Sequence, residues 1–128
     1  MRPAAHIEAA IAILGDIMSR HRPASAVLQD WGKSHRYAGS GDRAAIGNLV
    51  FDTLRRRASA AHIMQSATPR ALVLGALVAA EGKSADEIAA LCDGSQHAPP
   101  PLTAAERTTI EGAATRHMPD AVRADMPD

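Results

Sequence analysis

The side chains in this sequence whose type and spacing suggest chemistry are its cations. Arg20, Arg22, Lys33, Arg36, Arg55, Arg56 and Arg70 all fall at expected helix ends or connections, where a long side chain can reach a partner. A guanidinium is a planar fork that makes paired, charge-assisted hydrogen bonds to phosphate oxygens. The chemistry this suggests is recognition of a polyanion, with these seven residues as candidate phosphate contacts. Such binding is weak and salt-sensitive, and it positions a strand more than it reads a base sequence. The aromatic residues are Trp31, Tyr37 and Phe51 alone, too few for an extended stacking platform. Of these, only Trp31 and Tyr37 are candidates to stack on a base, and Trp31 is expected in the core.

Other chemistry finds little support. Gly82-Lys83-Ser84 ends like a phosphate-binding loop, but the upstream glycine position holds Leu77, and a helix rather than a strand precedes it. Cys92 continues an apolar helical face through Ile88 and Leu91, so it reads as a small buried hydrophobe rather than a nucleophile. The six histidines, His6, His21, His35, His62, His97 and His117, are scattered singly without an i, i+4 pair, so no metal site is expected. No arrangement of carboxylates argues for acid–base catalysis.

The charges are unevenly distributed in a chain of 128 residues and zero net charge. Residues 1–70 carry ten Lys/Arg against five Asp/Glu, and residues 71–128 carry four against nine. A molecule divided in this way can offer a basic face to a polyanion while staying neutral as a whole. Solvated surface on both halves accounts for the same charges equally well. The length suits one domain with a real core. Hydrophobic residues make up 46%, much of it alanine, which favours close-packed helices over a sheet. One cysteine excludes an internal disulfide and a multi-cysteine zinc site. There is no N-terminal basic-then-apolar signal, and no apolar run approaches the ~18 residues of a membrane span, so a cytoplasmic location is expected.

The elements that must position the cations follow from helical spacing and caps. Pro3 opens a first helix with Ile7, Ala10, Ile11, Leu14, Ile17 and Met18 on one face, ending near His21-Arg22. Pro23 starts a second, with Val27, Leu28 and Trp31 as its apolar side. After the Gly39-Ser40-Gly41 turn, Ser40 or Asp42 caps a third helix whose buried stripe is Ile46, Leu49, Val50, Thr53 and Leu54. Its register points Arg55 to solvent, Arg56 to a flank and Arg57 back over the stripe, where it snorkels or pairs with a carboxylate. Arg55 is therefore the leading candidate for an intermolecular contact. Phe51 lies off the stripe, which suggests packing on a second side, and Ala61 and Met64 extend the helix through Gln65.

Thr68-Pro69 starts a fourth helix that is apolar all round from Leu72 to Ala80 and should run through the interior. Gly75 would let another helix approach closely, and Gly82 stops it. Ser84-Ala85-Asp86-Glu87 and Thr103-Ala104-Ala105-Glu106 are capping boxes for a fifth helix and for a sixth reaching His117. Between them, Asp93–Pro101 has three consecutive prolines and cannot be helical. The fold class is all-α, a bundle of about six helices.

The stretch Ser40-Gly41-Asp42-Arg43 through Leu49-Val50-Phe51-Asp52-Thr53-Leu54-Arg55-Arg56 resembles the N-terminal NusB-like domain of the RsmB/NOP family. These are S-adenosylmethionine-dependent methyltransferases acting on cytosine C5 of small-subunit ribosomal RNA. The likeness takes in Arg2-Pro3-Ala4-Ala5, Ile11-Ala12-Ile13-Leu14, Leu28-Gln29-Asp30-Trp31, Thr68-Pro69-Arg70-Ala71-Leu72-Val73-Leu74-Gly75-Ala76-Leu77 and Ile88-Ala89-Ala90-Leu91-Cys92-Asp93-Gly94, nearly the whole chain.

The resemblance implies a NusB-like bundle over residues 1–117 and a Pro-containing linker over 118–128. That linker would lead to a Rossmann-like catalytic domain outside this sequence. S-adenosylmethionine and the catalytic cysteines would belong to that domain, so the chain by itself carries no methyl transfer. Its implied role is an RNA-binding or substrate-positioning accessory domain, with ribosomal RNA and the C-terminal methyltransferase domain as partners and neither membrane nor metal. Two alternatives stay open at this point: a free-standing NusB-like transcription antitermination factor, and a structural module docking on a catalytic domain without RNA contact.

Overall fold

A computed structural model describes residues 1–113 of the chain. Among these residues there are seven helices and no strand. They are α1 (Pro3–Arg20), α2 (Ala24–Ser34), α3 (Ser40–Arg55), α4 (Arg57–Met64), α5 (Pro69–Glu81), α6 (Ala85–Leu91) and α7 (Ala104–Glu111).

The bundle is built around α5. Thr68 caps it by accepting a hydrogen bond from the Ala71 N–H at 3.2 Å, and Pro69 occupies the first turn, where no N–H is needed. Residues 71–77 and Ala79 are all buried, as an all-round apolar pattern requires. Helices α4, α1 and α3 pack around it. Each large aliphatic side chain so buried contributes roughly 1.5–3 kcal/mol. Gly75 is the point of closest approach: a Cβ built there would stand 2.5 Å from the Ala60 carbonyl oxygen of α4. At the far end Gly82 adopts φ +65°, and the Lys83 N–H donates back to the Leu77 carbonyl at 3.2 Å, closing the helix with a glycine cap.

Both expected capping boxes form. The Ser84 and Thr103 hydroxyls accept from the backbone N–H groups of Glu87 and Glu106, and those carboxylates accept in return from the Ser84 and Thr103 N–H groups. At α3 the cap differs from expectation: Gly39 takes the cap position, and the Asp42 carboxylate accepts from its N–H at 3.1 Å.

Other expectations also need correction. The third helix does not run on to Gln65. It stops at Arg56, whose φ of −113° and ψ of 27° end α3 and start α4 as a separate element that lays Ala60 on Gly75. The buried Thr53 hydroxyl donates to the Leu49 carbonyl at 2.8 Å, a back-bond that weakens the helix just before the break. Phe51 is not packed on a second side but stands 41% exposed. The last helix ends at Glu111 with Gly112 as its cap, short of His117; His117 and residues 118–128 lie outside the described residues.

The proline-rich segment is packed rather than loose. Ala98 and Pro99 are buried, and the Asp93 carboxylate accepts from the Ser95 N–H and hydroxyl at 2.9 and 2.6 Å. Arg2 reaches from the first turn of the chain to the Ser95 hydroxyl and the Gln96 carbonyl at 3.0 and 3.1 Å. From the other side Arg70 donates to the carbonyls of Pro100 and Pro101.

Candidate nucleic-acid interface

The structure separates the seven candidate cations into groups with different neighbours. Arg20 pairs with Asp16 one turn back in α1 at 3.0 Å. Arg22 bridges α1 and α2, meeting Asp30 at 2.5 Å and Asp16 at 3.6 Å. Arg55 and Arg56 share the Asp52 carboxylate, Arg56 at 3.6 Å. Arg70 forms a fork on Glu106, with bonds of 2.9 and 3.0 Å, and so ties α5 to α7 and to the proline segment. That contact with Arg70 holds the Glu106 carboxyl below its usual range. Five of the seven are thus engaged by carboxylates of the chain itself.

Lys33 and Arg36 are different. Both are exposed and form no salt bridge among the described residues. They border a cleft of about 580 Å³ between the end of α2 and the start of α3, together with Leu28, Gln29, Gly32 and Arg43. Arg43 was not among the seven, because inside the α3 pattern it reads as an ordinary surface position. It too is exposed without a salt bridge among the described residues, and it turns the pair into a three-cation rim. The signal that could have found it is its place in the first turns of a helix that follows a basic connection. Arg57, also without a salt bridge among the described residues, neither snorkels nor pairs; it is exposed in the first turn of α4. Arg55 lies twelve positions along α3 from Arg43, about 18 Å at 1.5 Å per residue, so the two do not share one cleft.

Gly32 lets the Arg43 side chain lie close against α2. A Cβ there would lie 3.3 Å from Arg43 Cδ, so the bare backbone of α2 is where the stem of Arg43 rests. Asp42 fixes the start of α3 from the other side. The His6 ring of α1 sits 2.8 Å from its carboxylate, and this contact and the Gly39 N–H lower its pKa from 3.8 to about 2. Asp42 is therefore ionised and held toward α1, while its neighbour Arg43 lines the cleft.

Beside the cations stands an aromatic arrangement that composition gave no reason to expect. The Trp31 and His35 rings stack with centroids 4.2 Å apart and planes 7° from parallel, and Tyr37 meets His35 edge-on at 5.9 Å. The Trp31 carbonyl lies 2.8 Å from His35 Nδ1, which holds the imidazole over the indole. Trp31 is half-buried against the core, as expected in part, while Tyr37 is 69% exposed at the outer end of the group.

No family model matches the chain, and no curated protein and no solved structure matches it either. The chemistry therefore has to be read from the residues. Among the described residues no group of His, Cys, Asp and Glu is arranged to hold a metal ion, and no single helix is long and apolar enough to cross a membrane. Cys92 is buried, and burial pushes its thiol pKa up, the reverse of what activates a nucleophile. What the arrangement can do is hold an anion: three cations without a salt bridge among the described residues line one cleft, with an exposed aromatic ring next to Arg36 in the chain.

Proposed function

We propose that the chain is an RNA-binding, substrate-positioning helical module whose phosphate contacts are Lys33, Arg36 and Arg43. The observation that carries the reading is the clustering of Lys33, Arg36 and Arg43 on one cleft without a salt bridge among the described residues, while five of the seven sequence candidates are held by internal carboxylates. Proteins ordinarily pair or spread such charges, because neighbouring like charges repel and a polyanion relieves that repulsion. The Trp31–His35–Tyr37 group favours RNA over other polyanions, since single strands are held by aromatic stacking as well as by charge. Service to a ribosomal RNA cytosine-C5 methyltransferase rests on the resemblance to the RsmB/NOP N-terminal domain. On that reading S-adenosylmethionine belongs to the partner domain.

The test is a fluorescence-anisotropy titration with a single-stranded fragment of small-subunit ribosomal RNA at rising salt. Three phosphate contacts on a single strand give a log–log slope of about −2, so affinity should fall roughly twentyfold between 50 and 200 mM salt. Reversing Lys33, Arg36 and Arg43 together to glutamate should abolish binding, while Arg55→Glu should leave most of it. Affinity indifferent to salt, or to the triple reversal, would overturn the reading.

A further inference from the structure

A second cleft, of about 530 Å³, is also bordered by the end of α2 but shares no lining residue with the cationic one. Its floor is one face of α1, where Ala5, Ala9 and Ala12 present only methyl groups and leave room for a flat ligand. Trp31, His35 and Tyr37 form one wall, so an aromatic surface borders that floor. Also lining it is the turn carrying Gln96 and His97, pre-set by the Arg2 bonds to Ser95 and Gln96 and by the Gly94 N–H donating to the Pro99 carbonyl at 3.0 Å. Pre-set walls spare a ligand the cost of ordering them. Beside the alanines stands the Glu8 side chain, half-buried, within electrostatic reach of Arg70 but without a salt bridge or hydrogen-bond partner among the described residues, and Arg2 lines the same cleft.

An ionised carboxylate only accepts hydrogen bonds, and its two oxygens lie side by side. It therefore selects a planar ligand that offers two adjacent N–H donors on one edge. Among the RNA bases guanine does so, through N1–H and the 2-amino group. Adenine and cytosine each set an amino donor beside an acceptor nitrogen, and uracil sets one N–H between two carbonyls. The side chains of Gln96 and His97 border the same space and supply donors for guanine O6.

The two clefts are also linked in sequence: His35 and Tyr37 line this slot, and Arg36 between them lines the cationic cleft. Adjacent Cα atoms are about 3.8 Å apart, so a nucleotide's base and its phosphate can be held by neighbouring residues. We propose that this slot receives one unpaired guanine base of a single-stranded RNA whose phosphates lie on Lys33, Arg36 and Arg43, an inference that rests on the RNA reading above. Glu8 reads the Watson–Crick edge, and Tyr37 supplies the exposed stacking face.

Trp31 is the sole tryptophan of the chain, so its emission reports on the slot directly. The probes are a short oligouridine and the same strand with one central guanine, adenine or cytosine, each titrated by anisotropy and by Trp31 emission. The guanine strand should bind about tenfold more tightly than the others and alone change the emission strongly. Glu8→Gln should erase the guanine preference and leave oligouridine affinity unchanged. Glu8→Ala, which extends the alanine floor and so cannot crowd the fold, should do the same. Tyr37→Ala should weaken the guanine strand about fivefold or more. A guanine strand no tighter than the rest, or a preference that survives both Glu8 variants, overturns the slot while oligouridine binding keeps the RNA reading. If no strand binds at all, both fall together.

Discussion

The stem of Arg43 rests on the backbone of Gly32, so closely that a Cβ at Gly32 would stand 3.3 Å from Arg43 Cδ. A glycine inside the last turns of α2 weakens that helix by about 1 kcal/mol relative to alanine, yet it gives the guanidinium its place on the cleft. Gly32→Ala should therefore raise thermal stability slightly and lower RNA affinity severalfold, because the new methyl displaces Arg43. Arg43→Ala should lower the magnitude of the salt slope by about 1 with no loss of stability. A thermal melt and a salt titration on the same two variants check both statements.

Arg70 offers the opposite case. Its Nε and Nη2 donate to Glu106 and to the carbonyls of Pro100 and Pro101, so it acts as a strap inside the fold, with Nη1 buried and unbonded. Arg70→Ala should cost about 2 kcal/mol in urea unfolding, the scale of losing hydrogen bonds to a charged group. The salt slope of RNA binding should stay as in the unaltered chain. A slope reduced by a full phosphate contact would instead make Arg70 part of the interface.

The packing of α4 on α5 depends on the missing side chain at Gly75. A methyl there would meet Ala60 oxygen, Cα and carbonyl carbon at 2.5, 2.7 and 2.9 Å, all backbone atoms with no rotamer to change. Gly75→Ala should destabilise the bundle by about 1–3 kcal/mol or more, despite alanine's better helix propensity. Chemical denaturation measures it, and a neutral result would mean that α4 can slide on α5.

Acid should loosen the corner where α1 meets α3. The Asp42 carboxyl titrates at about 2 in the folded chain against 3.8 for the free group. A depressed folded pKa means that the unfolded chain takes up the proton first. The stabilisation is therefore complete above about pH 4 and disappears as the pH falls toward 2. Glu106, lowered by Arg70, adds to the loss in the same direction. Urea midpoints measured from pH 5 down to pH 2 should decline, and Asp42→Asn should flatten part of that decline.

Much of the fold was legible because it rests on local chemistry. The Thr68, Ser84 and Thr103 caps, the glycine stop at Gly82 and the buried α5 all depend on residues within a few positions of one another. Helical periodicity and capping report such neighbours directly. The break at Arg56 was not legible, because the apolar spacing carries on through Ala61 and Met64. Only the need to seat Ala60 on Gly75, fifteen positions away, places the break.

The same division runs through the candidate site. The sequence by itself determined that cations would crowd the helix ends of the first seventy residues and that stacking groups would be scarce. Helical spacing already sets Arg20 beside Asp16 and sets Arg55 and Arg56 beside Asp52, whereas only the tertiary structure decided that Arg22 is spent on Asp30 and Arg70 on Glu106 and that Lys33, Arg36 and Arg43 gather on one cleft. It also decided that the turn of Gln96 and His97 would share one cleft with Glu8, Trp31, His35 and Tyr37. The physical reason is range. A cap or an apolar stripe is fixed within one or two helical turns, whereas the Arg70–Glu106 pair spans 36 positions and exists only once the bundle has closed.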